Sequence, residues 1–524
     1  MATPESNPPL PPKPEIPNEP NCLDQPKGTK PDVAFETNRN EPNFAPLATS
    51  LPVSQRLRAP ALNPTPQSRY TGRNPMDPKQ DGKPLDRRDF LIGSSLAAGL
   101  VFGATPISAT KLSSNEVRVA LLGAGAQGQV LLDACLQIPN VRFRAVCDIW
   151  TEYNQHRVSR LLKDSGHANN AYVDYREMLD KEKGNLDAVL IATPDFWHAE
   201  HAIACMNAGL EVYCEKEMSN SLADARRMVE TSRQTGRLLQ IGHQRRSNPR
   251  YLFCYEKLIH EAKLLGRMTA INGQWNRSKR DFATIPERYA IKPEILEKYG
   301  FRSMQQFLNW RWYRGLGGGP IVDLGSHQID IFNWFLDARP KGVTASGGTD
   351  YFSKATHEWY DTVMAVYDYA TPAGTVRAFY QTLTTNGFGG YFEVFMGDEG
   401  TLEISESAGR GKVYRDVANA PDWKSFVKDG LLLEPKEAAQ PAPPAGAVLD
   451  IRETAPPPSY SLPVEMRKKY HQPHLENFFG AVRGKTKLNC PAEIGYETAV
   501  TVLKVNEAVD ARARVEFKPE DFEV

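Results

Sequence analysis

VRVALLGAGAQGQVLLDACLQIPNVRFRAVCD, residues 117–148, is the stretch that decides the fold. It begins with an apolar run, passes through a glycine turn into a helix-period pattern, and ends in a second β-rich run that closes on Asp148. The turn glycines are Gly123, Gly125 and Gly128. Glycines at this spacing let a strand turn sharply, let backbone approach a pyrophosphate and let a helix pack closely on a sheet. The helix N-terminus attracts phosphate through its free N–H groups and its dipole.

Asp148 lies where a carboxylate can accept hydrogen bonds from an adenosine ribose. Its charge would repel a 2′-phosphate, so the stretch predicts a dinucleotide site that takes NAD in preference to NADP. A glycine turn alone is weak evidence, and a strand–turn–helix unit without a ligand is the alternative. The preceding strand, the following helix and the acid at the right distance favour the dinucleotide site.

The composition limits the classes of partner. A length of 524 residues allows two or three domains, each with a substantial core. The chain has 63 Lys and Arg against 63 Asp and Glu, so no net charge argues for a nucleic acid partner. Its seven cysteines are scattered, without CxxC or metal-finger spacing. We therefore expect neither a disulfide framework nor a structural zinc site.

The N-terminal part of the chain predicts a leader and an export signal. Residues 1–84 are rich in Pro, Asn and Gln and lack apolar periodicity, so this segment is predicted to be disordered. Residues 85–109 carry Arg87-Arg88, a short apolar run and a small-residue stretch ending at Ala109. This pattern is typical of a twin-arginine signal and predicts export to the periplasm, or another extracytoplasmic compartment, by the twin-arginine translocase. A chance arginine pair before a buried helix is the alternative.

Two details of this region refine the prediction. The apolar run is too short for a stable membrane span. Export signals begin near the start of a chain, yet about 85 residues precede this one. A start at Met76 would leave a short polar leader, so we hypothesise that translation begins there. Peptides from residues 1–75 in the native cell would refute that hypothesis.

Residues 115–242 are predicted to form an α/β domain. Apolar runs at 187–192, 212–214 and 238–241 alternate with helical patterns, which is typical of a Rossmann doubly wound parallel sheet. Ligands bind such sheets at the carboxyl ends of the strands. Thr193, Lys216 and Gly242 lie at these positions.

Residues 243–524 are predicted to form an α+β domain with a mainly antiparallel open sheet. β-rich runs between residues 268 and 404 are joined by several hairpin-length turns. The helical pattern at 321–336 would cover one sheet face. Two segments interrupt the pattern: 277–309, which is partly helical, and a Pro- and Ala-rich loop at 433–463 that we expect to be mobile.

Three motifs resemble one known family. They are TPDFWH (193–198), AGLEVYCEKE (208–217) and GGGPIVDLGSHQID (317–330), and together they are similar to the Gfo/Idh/MocA oxidoreductases, relatives of glucose–fructose oxidoreductase and inositol dehydrogenase. The resemblance implies an NAD(P)-dependent enzyme whose active site is lined by Lys216, Asp323 and His327. It also implies a homo-oligomer built on the open sheet face. Glu217 stands where the family usually has Pro. The cofactor contacts predicted from the glycine turn and this resemblance are Gly123, Gly125, Ala126, Gln127, Gly128, Asp148, Thr193, Pro194, His198, Glu215 and Lys216.

Further candidates come from the residues around these motifs. Asp323, His327 and Asp330 share one helix face, although such pairs are common in helices without any chemistry. The triple glycine before them would leave room for a ligand. Trp312, Arg245 and Asp330 are possible substrate contacts. Indole faces pack on sugars and Arg binds hydroxyls or carboxylates; a core tryptophan and a solvated arginine are the alternatives. His198 and His201 lie three residues apart but have no third ligand nearby, so no metal is expected.

These observations lead to one main functional hypothesis. The chain is an exported NAD-dependent oxidoreductase acting on a sugar, polyol or sugar derivative. His327 would take the hydroxyl proton with help from Lys216, and Asp323 would orient His327. Outside the cytoplasm the cofactor has no pool to exchange with, so we expect it to be tightly held and regenerated in place. The alternatives are an NAD-dependent glycosidase that acts by transient oxidation and elimination, and a non-catalytic sugar-binding relative.

Overall fold

The computed structural model describes residues 115–407, 409–434 and 457–524. The leader (1–84), the export signal (85–109), Met76 and most of the loop at 433–463 lie outside the described residues. Within the described ranges, no helix is both long and apolar enough to cross a membrane.

The first sheet has six parallel strands in the order β3-β2-β1-β4-β5-β6. The strands are β1 (Val117–Leu122), β2 (Val141–Cys147), β3 (Asn170–Tyr172), β4 (Ala188–Ile191), β5 (Glu211–Cys214) and β6 (Leu239–Ile241). The order reverses at β1, which opens a crevice at the carboxyl ends of β1 and β4. The predicted Rossmann sheet is confirmed; only the short strand β3 was not predicted.

Five helices cover this sheet. They are α1 (Ala126–Cys135), α2 (His156–Asp164), α3 (Tyr175–Lys181), α4 (Asp195–Asn207) and α5 (Leu222–Thr235). Helix α5 begins after Ser221, whose hydroxyl accepts a hydrogen bond from the Asp224 N–H at 3.4 Å. It ends at Gly236, which takes the left-handed conformation at φ 65°.

The second sheet has nine strands in the order β14-β13-β12-β11-β7-β10-β9-β8-β15. The strands are β7 (Met268–Asn276), β8 (Pro340–Gly348), β9 (Thr362–Thr371), β10 (Gly374–Leu383), β11 (Tyr391–Gly397), β12 (Gly400–Ile404), β13 (Lys412–Arg415), β14 (Ser459–Ser461) and β15 (Val515–Glu516). All pairs are antiparallel except β7 and β10, which run parallel. The predicted mainly antiparallel sheet is therefore confirmed.

The described residues after β6 form seven further helices. They are α6 (Pro249–Phe253), α7 (Pro293–Lys298), α8 (Met304–Leu308), α9 (Gly319–Leu336), α10 (Lys424–Lys428), α11 (Gln472–Val482) and α12 (Ala492–Ala511). Helix α9 lies very close to the sheet because glycines remove side chains at two contacts. A Cβ on Gly273 of β7 would stand 2.6 Å from the Phe332 ring, and one on Gly325 would stand 3.0 Å from Tyr380. This close packing fixes the position of His327.

Helix α11 returns to the first sheet, although the chain-order division assigns it to the second domain. Its residues Leu475, Phe478 and Phe479 are buried in the same core as the residues of β1 and β2. The Gln240 side-chain amide of β6 also donates to the His474 carbonyl at 2.9 Å. The C-terminal part of the chain thus completes the dinucleotide-binding half of the fold.

Candidate active site

The carboxyl ends of the first sheet bring the predicted site residues to one edge. Gly123 follows β1, Asp148 follows β2, Thr193 follows β4, and Glu215 and Lys216 follow β5. Because these strands are parallel neighbours, the loops after them line one crevice.

The three turn glycines have different roles. Gly123 has φ +92°, and a Cβ there would stand 2.7 Å from the Ala192 carbonyl group. A Cβ on Gly128 would stand 2.0 Å from the Gly123 oxygen, so both residues are glycine for close packing. Gly125 differs, since its Cβ would meet nothing nearer than 3.8 Å. No packing requirement explains this glycine, and the open space beside it fits a pyrophosphate approaching the N-terminus of α1.

Asp148 holds the glycine turn in place. Its two carboxylate oxygens accept hydrogen bonds from the backbone N–H groups of Ala124 and Trp150, both at 2.7 Å. Burial raises the pKa of Asp148 to about 6. The oxygen bound by Ala124 also accepts from the Asn154 side-chain amide at 3.4 Å, whereas the other oxygen keeps a lone pair that can accept a hydrogen bond from a ribose hydroxyl.

Gln127, at the start of α1, links two sides of the crevice. Its side-chain amide nitrogen lies 3.1 Å from a carboxylate oxygen of Glu215 and 3.0 Å from Nε2 of His471. His471 just precedes α11 and was not predicted as a site residue. No local pattern could have indicated it, because its place depends on the return of α11 to the first sheet.

His198 and His201 fix the loops after β4 and β5. The two ring nitrogens of His198 each lie 2.7 Å from a backbone carbonyl oxygen, of Glu217 and of Thr193. Nδ1 of His201 lies 3.0 Å from the Thr193 hydroxyl. Burial lowers the pKa of both residues, that of His201 to about 3. In the described ranges no group of three His, Cys, Asp or Glu residues is placed to hold a metal ion.

Lys216 joins the two halves of the fold. The Lys216–Glu217 peptide bond is cis, and the ammonium group donates to the backbone carbonyl of Asp323 in α9. Nζ also lies 3.3 Å from the Asp323 carboxylate. Both side chains are largely buried, with 11% and 18% exposed. The predicted pair therefore meets across the crevice.

The Asp323 carboxylate contacts cations instead of His327, which corrects the orienting role predicted for it. Nε of Arg311 donates to it at 3.0 Å, and a guanidinium nitrogen of Arg277 lies 3.8 Å away. Burial acts to raise the pKa of Asp323, but Lys216, Arg311 and Arg277 outweigh it and hold that pKa well below its usual range. Sharing a helix face was not sufficient for an Asp323–His327 contact because these positive charges attract the carboxylate.

His327 lies one turn after Asp323. Its ring packs on the indole of Trp275, with 5.3 Å between the ring centroids. Its Nδ1 is buried and has no hydrogen-bond partner among the described residues. Burial and then the charge of Lys216 hold the pKa of His327 well below its usual value. The imidazole is therefore neutral at neutral pH and can accept a proton.

Two predicted substrate contacts belong to the scaffold instead. Asp330 is buried and pairs with Arg246 at 2.8 Å, while also accepting from the Thr498 hydroxyl at 2.9 Å. Arg245 is 1% exposed and pairs with two buried carboxylates, Glu393 and, at 2.9 Å, Glu406. Buried charges need such partners because desolvation is costly. Both side chains therefore serve the scaffold, although Nη2 of Arg245 has no hydrogen-bond partner among the described residues.

The tryptophan and glycines before α9 also pack internally. Trp312 lies in an aromatic cluster, 4.3 Å from the His357 ring and 5.6 Å from Phe352 between centroids. The triple glycine does not leave room for a ligand, which corrects that expectation. A Cβ on Gly317 would stand 3.0 Å from Trp310. One on Gly318 would stand 2.5 Å from Val322, and one on Gly319 would stand 2.8 Å from Trp359.

The segment at 277–309 packs beside the cofactor crevice. Its buried residues Ile291, Leu296 and Phe301 form one apolar cluster with Trp150, which lies two residues after Asp148. The Trp150 indole N–H donates to the Tyr289 carbonyl at 2.6 Å. The segment therefore covers the loop that carries the predicted ribose contact.

Comparison with known proteins matches both halves of this fold. Residues 117–243 match the model of the GFO/IDH/MocA oxidoreductase family, NAD-binding Rossmann fold, and residues 295–403 match the GFO/IDH/MocA C-terminal domain. A structure titled as the WlbA dehydrogenase from Bordetella pertussis in complex with NADH and UDP-GlcNAcA has the same fold. It has a TM-score of 0.54 and 16% identity, with 77% of this chain and 99% of that chain covered.

Curated relatives match over parts of their length. The 4-carboxy-2-hydroxymuconate-6-semialdehyde dehydrogenase of Sphingobium sp. is 35% identical over 27% of this chain and 43% of its own. A glycosyl hydrolase family 109 protein of Stenotrophomonas maltophilia is 33% identical over 29% of this chain and 34% of its own length. The myo-inositol 2-dehydrogenase of Thermotoga maritima is 32% identical over 44% of this chain and 58% of its own length. Both domain models of the Gfo/Idh/MocA oxidoreductase family thus match this chain in order, which agrees with the resemblance of its three motifs.

Proposed function

We propose that this protein is an NAD-dependent oxidoreductase that transfers hydride between a hydroxyl-bearing carbon of a sugar, polyol or sugar derivative and a tightly held cofactor. The contact between Lys216 of the first half and Asp323 of α9 carries the proposal. It joins the cofactor crevice to the helix that bears His327. The similarity to a myo-inositol dehydrogenase supports the substrate class.

His327 is the proposed base. Its neutral imidazole accepts the proton of the substrate hydroxyl as the carbon is oxidised. The ammonium of Lys216 has three N–H donors, and the carbonyl and carboxylate of Asp323 are within reach of two. The third is free to donate to the substrate oxygen. Asp323 acts as a positioning residue, because it aims Lys216 without facing His327.

The open space at Gly125 and the first N–H groups of α1 fit the pyrophosphate of a dinucleotide. Asp148 would hold the adenosine ribose, and its charge favours NAD over NADP. When bound, NAD supplies the hydride acceptor. Positioning the substrate carbon against this acceptor is the main contribution of the protein.

We also propose that the protein is exported by the twin-arginine pathway and assembles as a homo-oligomer. Export would favour a cofactor that stays bound to the protein. The packing of segment 277–309 on Trp150 supports such retention. The exposed face of the second sheet carries apolar side chains, including Met364 and Val366. These residues support an oligomer interface on that face.

A redox-neutral glycosidase is the second candidate function. The similarity to a glycosyl hydrolase family 109 protein favours it. The same His327 and Lys216 would serve a transient oxidation, followed by elimination of the aglycone, addition of water to the double bond and re-reduction of the ketone.

The near-ultraviolet absorbance of the purified protein tests for retained cofactor, and a sugar panel tests for turnover. Net cofactor reduction supports the dehydrogenase, while aglycone release without net reduction supports the glycosidase. Ligand-induced thermal stabilisation without either reaction would leave only sugar binding. We expect His327→Ala to keep its cofactor and to lose about 10²- to 10⁴-fold in turnover. His260→Ala, a solvent-exposed histidine with 42% of its side chain exposed, is the matched control. Wild-type turnover in His327→Ala would contradict the assigned role.

A further inference from the structure

The proposed active site contains more positive than negative charge. Lys216, Arg311 and Arg277 converge on the single carboxylate of Asp323, at 3.3, 3.0 and 3.8 Å. Two further carboxyl groups, Asp195 and Glu215, act on Arg311 from a greater distance. Burial raises the pKa of Asp195 to about 7, so at neutral pH this group carries only part of a negative charge. Within 4 Å of Asp323, the cations therefore outnumber the carboxylates by three to one.

The two arginines keep free hydrogen-bonding edges. Arg311 engages Asp323 through Nε alone, and Arg277 approaches it with one terminal nitrogen. In the described part of the chain, no other hydrogen bond or ion pair uses their guanidinium nitrogens. The side chains are 47% and 37% exposed, so a ligand can reach them. A guanidinium edge with parallel N–H groups matches the two oxygens of a carboxylate.

Aromatic rings support both guanidinium groups. Arg311 lies over Trp310, with 4.3 Å from Cζ to the ring centroid, and Arg277 lies over Trp275 at 5.2 Å. The same Trp275 ring contacts His327. One indole therefore contacts both the proposed base and Arg277, so a small ligand can reach both groups.

We propose that the substrate is a sugar or polyol that bears a carboxylate, bound by Arg277 and Arg311 while one of its hydroxyls faces His327. This inference rests on the proposed function and names the substrate class for that site. The carboxylate offsets the unbalanced charge and completes the open guanidinium edges. A neutral sugar would do neither.

Isothermal titration of the cofactor-loaded protein tests this with matched pairs: glucose with glucuronate, galactose with galacturonate, and glucose with gluconate. We expect the acids to bind at least about 10-fold tighter than the neutral sugars, as hydrogen bonds to a charged group allow. The preference should weaken as salt is raised, because these arginines are partly exposed. Glucose 6-phosphate serves as a second anion, which we expect to bind more weakly than the carboxylates.

Arg277→Gln should lower acid affinity by about 10- to 100-fold and lower the affinity for neutral sugars by a much smaller factor. Arg277→Lys keeps the charge without the planar edge, so it should retain only part of the preference. Arg377→Gln is the matched control, since Arg377 lies on the same sheet with 70% of its side chain exposed. Near-identical thermal unfolding of the three variants would show that folding is intact.

Equal binding of neutral sugars and acids would overturn the inference, as would a preference for the phosphate ester or an Arg277→Gln variant that behaves like the control. Binding is measured without turnover, so the two proposals can fail separately. Acid preference without cofactor reduction by any compound would support this inference and count against the oxidation. Reduction by neutral sugars without acid preference would do the reverse.

Discussion

Replacing Gly125 by alanine separates ligand binding from folding at the glycine turn. Gly125 has φ −69° and ψ −166°, a backbone conformation that alanine adopts without strain. Its added Cβ would have no neighbour closer than 3.8 Å in the protein. The unliganded variant should therefore unfold within about 0.5 kcal/mol of the wild type.

The same Cβ would occupy the space through which a pyrophosphate approaches the backbone. Loss of a charge-assisted hydrogen bond there should cost about 3 kcal/mol, which is about 100-fold in Kd. At an NAD concentration of about 100 times the wild-type Kd, bound NAD should raise the unfolding free energy of the wild type by about 2.7 kcal/mol. The variant, with NAD at about its own Kd, should gain only about 0.4 kcal/mol. Urea unfolding of cofactor-free protein, with and without NAD, measures both quantities.

Gly128→Ala is the matched control for a packing defect. A Cβ there would stand 2.0 Å from the Gly123 carbonyl oxygen, so this variant should lose stability even without NAD, by about 1–3 kcal/mol or more. If Gly125→Ala binds NAD as tightly as the wild type, the glycine turn does not hold the pyrophosphate. If it is as unstable as Gly128→Ala, the open space assigned to Gly125 is wrong.

Two other substitutions test the buried charges. Arg245→Met should lower the unfolding free energy by about 3–5 kcal/mol, because it leaves Glu393 and Glu406 buried without their cation. Urea unfolding measures this loss. A variant with unchanged stability and weaker substrate binding would show instead that Arg245 contacts the substrate. Glu217 has a pKa raised by burial from its ordinary 4.5 to about 8 in the fold, so its contribution to stability is full below pH 4.5 and is lost as pH rises to about 8. At about 1.4 kcal/mol per pH unit this loss is about 5 kcal/mol, and Glu217→Gln should remove that part of the pH dependence. Parallel pH–stability curves for Glu217→Gln and wild type would show that the carboxyl group is not buried as described.

The sequence was sufficient for the parts of the fold that depend on local patterns. The glycine turn, the alternation of strands and helices, and the end of α5 at Gly236 are each encoded within a few residues. The edge at which Thr193 and Lys216 meet follows from the parallel order alone. These predictions needed no knowledge of distant contacts.

Other features depend on pairings that no local pattern contains. Arg245 meets Glu406 across 161 residues, and Gln127 meets His471 across 344. The parallel pairing of β7 with β10 and the return of α11 to the first sheet are of the same kind. Such contacts decide whether an arginine serves a substrate or the scaffold. The spacing of residues along the chain does not.

Helix α9 contains one feature that the sequence predicts correctly and one that depends on distant residues. The four-residue spacing correctly places Asp323 and His327 on adjacent turns. The partner of each side chain is set elsewhere: cations from three segments attract Asp323, while Trp275 of β7 receives His327. Sequence motifs thus located the candidate site residues along the chain, and the assembled charges determined what each one contacts.

A crystal structure of the protein with NAD bound tests the central claim most directly. The account predicts a pyrophosphate against the backbone of Gly125 and the start of α1. It also predicts that the nicotinamide ring lies in contact with both Lys216 and His327. A dinucleotide absent from the glycine turn, or one whose nicotinamide ring points away from these two side chains, would contradict it.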